Sequence, residues 1–94
     1  MTFTYHNGNG INPDTLYLSN GDEIQLTNLG YDRTGDNRKE LPITEQYVIA
    51  HYTEDFRFTG VAGKVYTVTR EVILRDRKDP KHYPFTAKII AVKG

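Results

Sequence analysis

Cysteine and tryptophan are both absent from this chain of 94 residues, which also has a single methionine and a single serine. Without cysteine there is no disulfide framework, no thiolate metal ligand and no thiol nucleophile. The one serine, Ser19, sits beside Asn20-Gly21 where serine is ordinary turn chemistry, and no histidine is tied to it by a recognisable motif. No apolar run approaches the roughly 20 residues of a membrane-spanning helix, and no charged-then-apolar leader opens the sequence. A soluble, cytoplasmic protein is the expectation, although a cysteine-free chain could also work in a virion or outside a cell.

A dominant charge is lacking as well, because 12 bases balance 12 acids. Dividing the chain after Tyr47 gives seven acids against three bases before it, and five acids against nine bases after it, so minus four and plus four. If the halves lie apart, the molecule has an acidic and a basic pole; if strands from the two halves alternate, the charges mix.

What is present is one long alternating run. KVYTVTREVILRD, residues 64–76, has no Gly or Pro and puts Tyr66, Val68, Val72 and Leu74 on one face and Thr67, Thr69, Glu71 and Arg75 on the other. As a strand it would extend roughly 43 Å, whereas a compact chain of this length is only about 30 Å across. It must therefore bend, serve two sheets or project. Arg70 interrupts its apolar face, and the expected cause is a bulge near Thr69 and Arg70 that turns a corner between sheets.

Around this run the remaining segments also read as strands. Residues 2–6 alternate, with Phe3 and Tyr5 on one face. In TLYLSNGDEIQL a two-residue turn would mix leucines with polar residues, whereas a Ser19-Asn20-Gly21 turn with left-handed Gly21 pairs Leu16 with Ile24 and gathers Leu16, Leu18, Ile24 and Leu26. Residues 29–44 have no apolar periodicity and read as a long polar loop, a usual place for a binding surface. Residues 45–53 form a central strand, Phe56 to Phe58 a short one, and residues 85–92 the last, with Phe85, Ala87, Ile89 and Ala91 on one face. The fold class is all-β: one domain over residues 1–94, a small antiparallel sandwich or partly open barrel of about five to seven strands.

Chemistry is sparse. His51 and Glu54 are spaced as a ligand pair, but residues three apart on a strand face opposite ways and no spacing rule places a third ligand. The Gly8-Asn9-Gly10 stretch lacks the helix and Lys-Ser/Thr of a phosphate loop. No catalytic residue, metal or cofactor is expected. The expected activity is non-enzymatic protein binding, in the manner of a small accessory or inhibitor protein such as phages carry. Tyr31, Arg33 and Arg38 of the polar loop and Arg77, Lys78, His82 and Tyr83 near the last turn are the candidate contacts, because Tyr and Arg are enriched at interface hot spots. The alternative is a single-stranded nucleic-acid binder using Arg70, Arg75, Arg77, Lys78, Lys81 and Tyr83, against which the neutral total charge weighs. Self-association by strand pairing is a third use of an exposed long strand.

Overall fold

The computed structural model describes residues 1–27, 29, 34–79, 81 and 83–94. Among these, seven strands form two antiparallel sheets and there is no helix. The first sheet is β1 (Phe3–His6), β2 (Thr15–Leu18) and β3 (Glu23–Gln25) in that order. β4 (Asp36–Glu40), β5 (Val48–Thr59), β6 (Val65–Arg75) and β7 (Phe85–Lys93) make the second, again in sequence order. This is the open all-β sandwich that the turn-rich, alternating sequence implies.

The β2–β3 turn has the bulged register expected of it. Leu16 lies opposite Ile24, the Leu18 N–H donates to the Asp22 carbonyl at 2.9 Å, and Gly21 takes φ 90°, where a side chain would be strained. Leu16, Leu18, Ile24 and Leu26 thereby pack on Phe56, Phe58, Tyr66, Val68 and Val92. Each fully buried aliphatic or Phe side chain contributes about 1.5–3 kcal/mol, so this cluster supplies most of the apolar stabilisation.

Four expectations are corrected. Residues 36–40, inside the predicted loop, form β4; all five are exposed and paired with β5, so an edge strand with no buried face leaves no apolar period to read. The two strands expected over residues 45–58 are one strand of 12 residues, β5, because Glu54 continues the inner face instead of breaking it. β6 turns no corner: it stays in the four-stranded sheet from Val65 to Arg75, and the molecule is elongated, 44 by 29 by 22 Å. The irregularity near Arg70 belongs to β7, where Thr69 pairs with Ala91 and Arg70 with Ile89, leaving Ile90 as an extra residue. That bulge sends Ala91 to the outer face and brings Val92 into the core beside Val68.

Arg70 has a different explanation. It lies opposite Glu54 on the inner face, with Nη2 to Oε2 at 3.0 Å and both residues almost fully buried, and its guanidinium stands 4.8 Å from the Phe56 ring centroid. This ion pair divides the inner face in two. On one side is the core cluster under the three-stranded sheet; on the other, Val72 is buried in its own right next to Tyr52 and Ala87. The second half of the four-stranded sheet thus carries its own end of the molecule.

Candidate interaction surface

At that far end the connection over residues 41–47 meets the β6–β7 turn over residues 76–84. The Asp76 N–H donates to the Tyr47 carbonyl and the Arg75 N–H to the Pro84 carbonyl, both at 2.7 Å. The turn is built by its acids: Asp76 Oδ1 accepts from the Lys78 N–H at 2.9 Å, and Asp79, buried, accepts from the Lys81 N–H at 3.0 Å. Tyr47 enters β5 at φ 70°, a left-handed conformation that costs a non-glycine residue about 1–3 kcal/mol and persists only where neighbours hold it. The chain beyond it bulges at Ile49, since Val48 pairs with Arg75 and Ala50 with Leu74. Irregular backbone on both sides of the junction leaves large side chains outside. Ile43, Tyr47 and Ile49 are about half exposed and Tyr83 is 81% exposed.

The candidates named from sequence are only partly brought together here. Arg77, Lys78, Lys81 and Tyr83 are exposed and share the β6–β7 turn. Arg75 enters it but is committed, with Nη1 donating to Thr86 Oγ1 at 3.1 Å and Nη2 lying 3.8 Å from Glu45. Arg38 stands on β4, donates to Glu40 at 2.8 Å, and lays its guanidinium 3.7 Å from the Tyr52 ring centroid. Arg70 is interior, so it offers no contact to a nucleic acid. Tyr31, Arg33 and His82 lie outside the described residues. Ile43, Tyr47 and Ile49 are not among the contacts named from sequence; Ile49 reads there as one face of a central strand, and strand alternation puts it on the outer face with His51, which stays uncovered.

Charges from the two halves of the chain are interleaved rather than polar. Asp22 lies near Lys64, Glu45 near Arg75, and His51 and Lys88 both contact Glu71. At the core end, Asp22 Oδ2 accepts from the Tyr66 hydroxyl at 2.7 Å and Oδ1 from the Glu23 and Ala62 N–H groups at 2.8 and 3.2 Å. The Tyr66 hydroxyl holds the Asp22 carboxyl below the usual carboxylate range, the Glu23 N–H adding to this while burial opposes it.

Two other places have some chemistry. A groove between β1 and β7 is lined by Tyr5, Leu26, Leu29, Phe85 and Ile89. On its wall the Tyr5 hydroxyl donates to Asp14, and burial first, then Asp14, pushes the Tyr5 pKa up to about 12, so it stays protonated. On the outer face of the four-stranded sheet, His51 contacts the Pro42 carbonyl through Nδ1 at 3.0 Å and Glu71 through Nε2 at 3.2 Å. Glu54 points the other way, as the strand spacing requires. Among the described residues no three His, Asp or Glu side chains are grouped to hold a metal, and no helix is long and apolar enough to cross a membrane.

Comparison with known proteins assigns no family. No family model, curated protein or solved structure matches this chain.

Proposed function

We infer that this protein is a binding module that docks a protein partner through the far end of its four-stranded sheet. The observation that carries this reading is that the two segments meeting at this end leave Ile43, Tyr47, Ile49 and Tyr83 exposed, with Arg77, Lys78 and Lys81 on the turn that holds Tyr83. Aromatic anchors ringed by polar residues are the usual anatomy of a protein interface. The cations favour a partner whose contact patch is apolar with an acidic rim. The buried Glu54–Arg70 pair separates this end from the core, so the surface can be altered without disturbing the cluster that holds the fold.

Affinity capture with wild type and with Tyr83→Ala, Arg77→Glu and Lys78→Glu variants tests the reading, with nuclease treatment as a control. A protein retained by wild type, resistant to nuclease and lost from the variants supports it. Retention of nucleic acid that weakens log-linearly with salt would point instead to a single-stranded nucleic-acid binder.

A further inference from the structure

His51 is tied on both sides to groups that only accept hydrogen bonds. Nδ1 meets the Pro42 backbone carbonyl at 3.0 Å and Nε2 meets the Glu71 carboxylate at 3.2 Å. A carbonyl has no proton to give and an ionised carboxylate has none either, so both contacts are hydrogen bonds only when both ring nitrogens carry hydrogen. The neutral ring has one N–H and can satisfy one side.

The two sides belong to different parts of the fold. Glu71 is on β6, in the middle of the sheet, whereas Pro42 is in the connection that carries Ile43 and Tyr47. That connection is pinned at its start by the Leu41 N–H donating to the His51 carbonyl at 2.8 Å and at its end by Asp76 N–H donating to the Tyr47 carbonyl at 2.7 Å. Between them His51 is the tie that reaches from the sheet to Pro42, and the segment ends on the left-handed Tyr47, a conformation held only by its surroundings.

We propose that His51 is a proton-operated clamp: as the imidazolium it bridges Pro42 to Glu71 and fixes residues 42–47, and as the neutral ring it releases them. The charged groups around it favour the closed state. From β6 comes Glu71; from the connection, Glu45 adds negative potential; from β7, Lys88 Nζ lies 3.6 Å from the other Glu71 oxygen and competes for it. Lys39 of β4 pairs opposite Thr53, and Arg75 is occupied by Glu45. The Pro42 carbonyl first, then Glu71, raise the His51 pKa above its ordinary value, while burial opposes them. A raised folded-state pKa means that the clamp's contribution is complete below the unfolded value of about 6.5 and is lost as pH rises through the folded value. The clamp closes on acidification and opens on alkalinisation. Resting on the partner-docking reading above, the same proton would regulate that site, because closure orders two of its four large apolar side chains.

Nuclear magnetic resonance on the free protein tests the clamp without a partner. Ring nitrogen shifts and backbone amide exchange over residues 43–47 are followed from about pH 5 to pH 9, the range in which a histidine changes charge. The expected result is a doubly protonated His51 with a midpoint above about 6.5. Protection of the 43–47 amides, corrected for intrinsic base catalysis, should fall by up to tenfold per pH unit between about 6.5 and that midpoint and level off above it. Glu71→Gln should lower the midpoint, and His51→Phe should abolish the pH dependence while the amides of β2 and β6 stay protected. A neutral single tautomer at pH 6.5, or protection that ignores the His51 midpoint, overturns the proposal. If the clamp titrates as expected but partner affinity is flat with pH, the clamp stands and its regulation of docking is overturned; loss of capture in the Tyr83→Ala variant tests the docking reading separately.

Discussion

Arg70 Nη2 and Glu54 Oε2 meet at 3.0 Å across β6 and β5, and both side chains lie inside the sandwich between the core cluster and Val72. Removing one member leaves the other charge buried without its opposite. Glu54→Ala should lower the free energy of unfolding by about 3–5 kcal/mol in urea denaturation, a large part of a small domain's total. The joint replacement Glu54→Leu with Arg70→Met should recover most of that loss, since apolar residues of similar volume are often neutral or better at such sites. A loss under about 1 kcal/mol for Glu54→Ala, the value of an exposed pair, would mean that the site is wet.

Gly60 leaves no room for a side chain. A Cβ there would stand 2.5 Å from Asp22 Oδ2 and 2.9 Å from the Tyr66 ring. Gly60→Ala should push Asp22 off the Tyr66 hydroxyl and cost about 1–3 kcal/mol, as overpacking does, measurable as a lower denaturant midpoint with an unchanged slope. Gly10→Ala meets nothing within 4 Å and should be close to neutral.

Asp22 should also shape the acid limb of the stability curve. Because the Tyr66 hydroxyl holds its folded-state pKa low, its contribution is complete above the unfolded carboxylate value of about 3.9 and is lost as pH falls through the folded value. Tyr66→Phe removes the largest cause, so its unfolding midpoint should lie below wild type above about pH 4 and fall less steeply toward acid, the two curves converging. An acid limb identical to wild type would contradict the assignment.

The β7 bulge predicts an asymmetry between two deletions. Ile90 is the unpaired extra residue, so deleting it leaves Phe85, Ala87, Ile89 and Val92 on their present face. Deleting Glu71 from β6, which has no spare residue there, turns either Val72 and Leu74 or Tyr66 and Val68 away from the interior. The Glu71 deletion should cost more by about 1.5–3 kcal/mol, the value of one large apolar side chain, in urea denaturation.

Much of the fold was legible because strand alternation and turn chemistry are local. The bulged register at Gly21 and the faces of β6 follow from side-chain sorting alone. Glu54 and Arg70 were separately visible, one as an apparent break and the other as an interruption; pairing them needed the β5–β6 register, in which Phe58 faces Tyr66 and Phe56 faces Val68. With the turn at residues 60–64 placed, that register would have predicted the pair. β4 was illegible because an edge strand exposed on both faces has the composition of a loop. At the interaction surface Arg77, Lys78, Lys81 and Tyr83 could be named from composition, while Tyr47 and Ile49 read as one face of a central strand, and no residue type announced the left-handed turn at Tyr47 or that this face stays uncovered.

The most direct test of the docking surface is quantitative partner capture by wild type and by Tyr83→Ala, each with its unfolding midpoint measured alongside. Tyr83 is 81% exposed, so its loss should leave the midpoint unchanged, while affinity falls by about 2 kcal/mol or more, some 30-fold, as for an interface anchor. Unchanged affinity at unchanged stability would contradict the account.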